Sequence, residues 1–326
     1  MRQPILARMV QPASLSFSAV SGSAAGTDRV PVGQEGFSLA IRRFPSPRAL
    51  QGHPALVYAH GFGQTRGAWN RTGLAMAAPG YAGLAYDARG HGESDRNAAG
   101  LPYTGDQFAD DLIVMAGEQP EPPVLVGASM GGLFGLIAES RWPGLFRAMV
   151  LVDITPRWEH AGLQRILAFM PAFPDGFASL EHAADAIAAY QPQRRTRKSA
   201  DDLRGLLREG GDGRWRWHWD PRLVDELARD SAQHQDAIAD AARRVQCPVL
   251  LISGGRSDLV SEKTVEEFKT LVPHARHVHL PQATHMVAGD DNDAFTATVL
   301  EYLAGLPAAS GNAESDVTES VSGATP

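Results

Sequence analysis

One cysteine, Cys247, is all that the chain contains, which excludes an intramolecular disulfide and fits a reducing compartment. At the mouth of the apolar run Pro248-Val-Leu-Leu-Ile-Ser it reads as a small buried side chain rather than a nucleophile. No apolar run approaches the roughly 18 residues that a membrane span requires. Near the N-terminus, Ser, Gln and Pro interrupt the apolar stretches well short of a signal-peptide core, despite Arg2 and Arg8. The expectation is a cytoplasmic protein with no membrane partner. An extended basic tract is also missing, and the formal charge of −7 and pI of about 5.9 argue against nucleic acid as a partner. The single dense basic cluster, Arg194-Arg195-Thr196-Arg197-Lys198, reads as a solvated turn.

A chain of 326 residues, 44% of them apolar, can bury one large core and carry an insertion. Alternation in Ser14-Leu-Ser-Phe-Ser-Ala-Val and in Phe37-Ser-Leu-Ala-Ile-Arg predicts two amphipathic strands at an antiparallel edge. Apolar runs then begin at Ala55, Tyr81, Val124 and Ala148, separated by helical stretches such as Asp106 to Gly117. That alternation predicts a mostly parallel eight-stranded sheet with helices on both faces, an α/β architecture. It is broken after the sixth strand by a charged, Trp-rich stretch and resumes at Pro248. The expected organisation is therefore a core from residues 10–154 and 241–306, with a mainly helical cap at 155–240. Residues 307–326 are expected to form a disordered tail, because they hold almost no large apolar side chains to offset the entropy of ordering.

Chemistry concentrates at Val124-Leu-Val-Gly-Ala-Ser-Met-Gly-Gly, where an apolar strand runs into Ser129 flanked by glycines. A serine on a sharp strand-to-helix turn sits on strained backbone, and Gly127, Gly131 and Gly132 remove side chains that would collide there. This is the nucleophile-elbow pattern. A serine hydroxyl needs a base to take its proton and a carboxylate to orient that base. His285, in Pro281-Gln-Ala-Thr-His-Met past the last strand, is the expected base. Asp258, in Ser253-Gly-Gly-Arg-Ser-Asp at the end of the seventh strand, is the expected acid, and Asp153, at the end of the sixth, is its rival.

A tetrahedral intermediate needs backbone donors aimed at its oxyanion. Met130 N–H follows the elbow, and the loop His60-Gly-Phe-Gly offers Phe62 N–H as the second donor, with the Phe62 ring as a pocket wall. His60 is then structural. His277 and His279 alternate along one strand with no evident third partner, so no metal and no cofactor is expected.

The motifs H-G-F-G, Asp87-Ala-Arg-Gly-His-Gly-Glu-Ser, G-A-S-M-G-G, G-G-R-S-D and A-T-H-M, in this order, resemble the α/β-hydrolase superfamily over roughly residues 10–305. Within it the chain is similar to the capped group that includes epoxide hydrolases, haloalkane dehalogenases, perhydrolases, carbon-carbon bond hydrolases and small esterases. The resemblance implies that Asp87, Arg89 and His91 hold a structural turn. Epoxide hydrolases and haloalkane dehalogenases use Asp at the elbow, where this chain has Ser129, which favours acyl transfer.

In the cap, Trp215, Trp217 and Trp219 alternate with Arg214, Arg216 and His218, placing three indoles on one face of an extended segment. Those rings, like Trp158 and its neighbours, either line an acyl site or glue the cap to the core; Phe62, Trp158 and Trp217 are the candidate substrate contacts. The expected activity is hydrolysis of a small apolar or aromatic carboxylic ester through an acyl-enzyme on Ser129. A thioesterase, lactonase or carbon-carbon bond hydrolase would use the same triad, and Arg194, Arg195 and Arg197 keep a CoA thioester in play. A non-catalytic receptor on the same fold is the reading from a different class. A homodimer formed through an apolar cap patch is an open option.

Overall fold

In the computed structural model, residues 28–33, 36–47, 53–190, 197–224, 231–290 and 292–307 are described. The strand expected at Ser14–Val20, Arg194 and Arg195 of the basic cluster, and the tail beyond residue 307 lie outside them.

The apolar runs form eight strands of one sheet, in the order β1-β2-β4-β3-β5-β6-β9-β10. The antiparallel edge consists of β1 (Arg29–Pro31) and β2 (Ser38–Phe44), and β2 joins β4 (Gly83–Tyr86) antiparallel. From there the sheet is parallel through β4, β3 (Leu56–Ala59), β5 (Val124–Ala128), β6 (Ala148–Val152), β9 (Val249–Gly254) and β10 (Arg276–Leu280).

The central runs are apolar at every position because both faces of the sheet are covered. Val57, Leu125, Met149, Leu151 and Leu251 face one layer, packed with Leu112, Leu136, Ala242 and Phe268. Those four come from the helices Gly105–Gly117, Met130–Arg141, Ser231–Arg243 and Glu262–Leu271. Leu56, Tyr58, Val126, Val150 and Ile252 face the other way, against Met76 of helix Asn70–Ala77 and Phe295 and Val299 of helix Asn292–Ala304. Period-two alternation thus persists inside runs that look uniformly hydrophobic. Helix starts are set by capping boxes: Thr104 with Gln107 before the helix at Gly105, and Ser261 with Thr264 before the one at Glu262.

Between β6 and β9 the chain leaves the sheet. It forms helices His160–Phe169, Leu180–Tyr190 and Ala200–Leu203, then the antiparallel pair β7 (Leu207–Glu209) and β8 (Trp215–Trp217), before helix Ser231–Arg243. The cap has a small apolar centre of its own, in which Phe177, Leu180, Ala183, Leu203 and Leu207 are buried. The strand pair exists because Trp215–Trp217 alternates: Trp217 turns toward the interior beside Trp219 while Arg216 pairs with Asp212 outside.

The elbow depends on three close approaches. A Cβ on Gly131 would lie 2.5 Å from the carbonyl oxygen of Ala59 in β3, one on Gly127 2.8 Å from Gly132, and one on Gly132 2.8 Å from Ile154. Ala59 is laddered to β4 and β5 on its two sides and cannot retreat. Replacing Gly131 with Ala is therefore expected to cost about 2–3 kcal/mol, as overpacking of a rigid site does. Gly117→Ala, where an added Cβ meets nothing within 4 Å, should be neutral or stabilising by up to about 1 kcal/mol. Urea unfolding of the two variants checks this; equal stabilities would show that the elbow tolerates a side chain.

Candidate active site

The last ladder pair of β5 and β6 is Ala128 with Val152, so Ser129 and Asp153 leave adjacent strands at the same height. Ser129 N–H donates to Val152 O at 3.1 Å, and Asp153 N–H to Ile252 O of β9 at 2.7 Å. Ser129 has φ 47° and ψ −117°, and Asp153 has φ 50°; they are the only non-glycine residues with positive φ among the described residues. Such conformations cost about 1–3 kcal/mol each and persist where the surroundings enforce them.

The side chain of Asp153 is fully buried, and its charge is met by converging donors. Gly254 N–H donates to one carboxylate oxygen at 2.7 Å; the Ser257 hydroxyl and His285 Nδ1, the latter at 2.7 Å, reach the other. A carboxylate only accepts, so Nδ1 carries a proton, and in the neutral imidazole Nε2 is then the nitrogen that can accept one. Ser129 and His285 line one cavity.

Asp258, the acid expected from sequence, stands elsewhere. Its carboxylate pairs with Arg165 of helix His160–Phe169 at 2.7 Å, and its backbone lies tight against that helix, where a Cβ on Gly162 would come within 2.2 Å of Asp258 O. Docking of the 255–260 loop on the helix turns Asp258 outward and Ser257 inward. The carboxylate that reaches His285 is Asp153.

The His60–Gln64 turn lies directly over the serine: a Cβ on Gly61 would be 3.2 Å from Ser129 Cβ. Gly61 N–H is taken by Gln64 Oε1 at 3.1 Å and Gly63 N–H by His91 Nε2 at 3.3 Å, which leaves Phe62 N–H between two engaged neighbours. Met130 N–H opens the helix after the elbow and so has no acceptor within that helix. Gln64, which sequence reasoning passed over, also donates to Met286 Sδ at 3.1 Å, tying this turn to the residue after His285.

Three buried histidines brace that turn. His60 accepts Ala88 N–H at Nε2 (2.9 Å) and donates from Nδ1 to Gly61 O (2.8 Å). His91 donates from Nδ1 to Arg89 O at 3.1 Å. His218, from the cap, accepts Gly92 N–H at 2.8 Å and donates to Gly63 O at 3.2 Å. Each gives one ring nitrogen to a backbone donor, which requires the neutral imidazole. Burial lowers the pKa of all three, that of His218 to about 3. Beneath them, Asp87 accepts Glu93 N–H at 2.9 Å and pairs with Arg66, and Arg89 grips Asp111 with two bonds of 2.6 and 2.7 Å. The Asp87–Ser94 segment is thus a fastened turn.

The cavity measures about 320 Å³ and is walled mainly by apolar side chains, among them Phe62, Met130, Trp158, Phe169, Trp217 and Leu223. The three candidate substrate contacts, Phe62, Trp158 and Trp217, all line it. The alternating tryptophans divide their work: Trp217 faces the cavity, Trp219 is buried against Phe62 with ring centroids 5.3 Å apart, and Trp215 lies under the Arg204 guanidinium. His277 and His279 face Ser253 Oγ on the edge strand, at 2.8 and 3.3 Å. Cys247 is partly buried, with its thiol pKa pushed up by desolvation. Among the described residues no helix is long and apolar enough to cross a membrane.

A family model described as an alpha/beta hydrolase family matches residues 56–298. The chain is 27% identical over 243 residues to a 3-hydroxybutyrate-oligomer hydrolase of Cupriavidus necator, covering 71% of this chain and 82% of the relative. It is also 27% identical over 258 residues to an esterase of Mycobacterium tuberculosis, covering 77% and 83%. Among solved structures, E-2-(acetamidomethylene)succinate hydrolase superposes with a TM-score of 0.71 at 24% identity, over 85% of this chain and 98% of that one.

The histidine brace makes stability pH-dependent. Between the ordinary value of 6.5 and about 3, His218 binds a proton in the unfolded chain but not in the folded one. Stability therefore falls as pH falls through that window, by up to about 1.4 kcal/mol per pH unit. His60 and His91 act in the same direction, while Asp111, raised to about 6 by burial, acts oppositely below that pH. His218→Gln is expected to flatten the acid side of a stability-against-pH curve measured by urea unfolding, and an unchanged slope would contradict the assignment.

Proposed function

Because this chain belongs to the alpha/beta hydrolase family and, like its relatives, is a hydrolase acting on ester bonds, we propose that it cleaves a small apolar carboxylic ester through an acyl-enzyme on Ser129. His285 serves as general base and Asp153 orients it. The observation that carries this reading is a strained serine and a histidine held at Nδ1 by a buried carboxylate, both lining one apolar cavity.

In this mechanism His285 Nε2 takes the Ser129 proton as Oγ bonds to the acyl carbon. The oxyanion rests on the N–H groups of Phe62 and Met130, whose loss would cost about 3 kcal/mol of transition-state stabilisation each. The bond to the leaving oxygen then breaks as His285 passes its proton to that oxygen. Water, deprotonated by the same nitrogen, attacks the acyl carbon and releases the acid and Ser129. Asp153 stays ionised, fixing the tautomer and stabilising the imidazolium.

The chamber sets acyl preference through buried area. Each methylene that enters it contributes up to about 0.8 kcal/mol, so kcat/KM for p-nitrophenyl esters is expected to rise up to roughly fourfold per carbon until the chamber is full. Intact-mass detection of a fluorophosphonate adduct tests the nucleophile. The parent should gain one adduct and turn over these esters, and Ser129→Ala should do neither. A parent that neither labels nor hydrolyses any ester would overturn the reading in favour of a binding role.

A further inference from the structure

The elbow serine stands at one end of a helix that is itself a wall of the chamber. Met130, Leu133, Phe134 and Ile137 of the helix Met130–Arg141 all line it, and their i, i+3, i+4, i+7 spacing puts them on one face. At a rise of about 1.5 Å per residue, the face from Met130 to Ile137 runs about 10 Å away from the elbow. Phe108 stacks on Phe134 with ring centroids 4.6 Å apart, and Leu223 and Ile238, both buried, line the same chamber.

Gly105 marks the far end of this wall. It is the first residue of the helix Gly105–Gly117, and it too lines the chamber. A Cβ there would lie 3.5 Å from Phe134 Cε1 and 3.9 Å from Ile137 Cδ1, ordinary contact distances, and Gly105 does not have a positive φ. The backbone therefore accepts a side chain at this position, and one placed there would stand against Phe134 and Ile137. Glycine adds nothing to helix stability; its effect is to leave the last stretch of the chamber open.

Resting on the acyl-enzyme reading above, we propose that the acyl group is an unbranched aliphatic chain of medium length lying along the Met130–Ile137 face, and that Gly105, with Phe134 and Ile137, sets where it ends. His285 must pass a proton to the leaving oxygen, so the leaving group lies against the imidazole and the acyl group takes the face that begins at the oxyanion donor Met130. Built from single bonds of about 1.5 Å, an extended chain advances about 1.3 Å per carbon, so a wall of about 10 Å takes about eight carbons. Leu133, Phe134, Ile137, Phe108 and Ile238 offer a polar chain no hydrogen-bond partner.

The test measures kcat/KM for p-nitrophenyl esters from acetyl to dodecanoyl on the parent and on Gly105→Ala, Gly105→Leu and Ile137→Ala, with cooperative unfolding confirming that each variant folds. The parent is expected to peak near octanoyl. Gly105→Leu should move the peak to shorter chains and, by displacing about two carbons, lower the ratio of octanoyl to butyryl rates roughly tenfold. Gly105→Ala should lower it by a smaller factor, and Ile137→Ala should move the peak to longer chains. A second series, n-alkyl acetates, varies the alcohol instead. A parent that labels with a fluorophosphonate but peaks at acetyl or propionyl, or folded Gly105 variants that keep the parent's acyl profile, would overturn the proposal alone. So would a Gly105→Leu protein whose selectivity shifts among the alkyl acetates and not among the acyl esters, since the channel would then hold the alcohol. A parent that neither labels nor turns over any ester would overturn the acyl-enzyme reading as well.

Discussion

A buried carboxylate with no solvent must be surrounded by donors, and in this protein the groups that satisfy Asp153 are also the parts of the site. Gly254 N–H fixes the end of β9, the Ser257 hydroxyl fixes the following loop, and His285 Nδ1 fixes the imidazole. Ser257 Oγ in turn accepts the N–H groups of Leu259 and Val260, so the requirement of one charge propagates through the loop that carries Asp258 away. Removing the carboxylate would leave these donors without the acceptor they share. The site and the folding of three strand ends are one electrostatic problem.

That arrangement is possible because a parallel sheet brings strand ends to a common edge. Ser129 and Asp153 follow paired residues of adjacent strands, and both turn through positive φ as they leave the sheet. The glycines at 127, 131 and 132 let helix, β3 and β5 close around the first of these turns. The histidine brace fastens the loop above it, and His218 makes the cap part of the fastening by holding Gly63 O and Gly92 N–H. Cap and core therefore share hydrogen bonds at the turn nearest the serine, in addition to the apolar contacts of Trp219 and Phe62.

Most of the architecture is legible in the sequence because periodicity and turn residues encode it locally. The strand runs, the elbow glycines and the helix after Ser129 are each readable within a dozen residues. The choice of acid is not, because it depends on which strand lies beside β5 and on how a loop docks against a helix nearly a hundred residues away. Val150-Leu-Val-Asp does carry a signal, an Asp entering directly from a fully apolar run, whereas Asp258 follows the polar stretch Gly255-Arg-Ser. Of the β7–β8 pair only β8 is legible, through the Trp alternation that reads as an extended segment; β7, three residues long, leaves almost no pattern of its own. Nor does the basic cluster show in sequence that its last residue, Lys198, borders the cavity, because that is decided by the packing of the whole cap.

The most direct test of the account is the effect of Asp153→Asn against that of Asp258→Asn on kcat/KM for a p-nitrophenyl ester, with cooperative unfolding confirming that both variants fold. Loss of the orienting carboxylate, and with it the correct tautomer, should lower activity by about 10⁴ in Asp153→Asn. The Asp258→Asn protein should stay within a fewfold of the parent, since only its exposed pair with Arg165 is lost. A large loss in Asp258→Asn beside a near-normal Asp153→Asn would contradict the assignment of Asp153 as the group that orients His285.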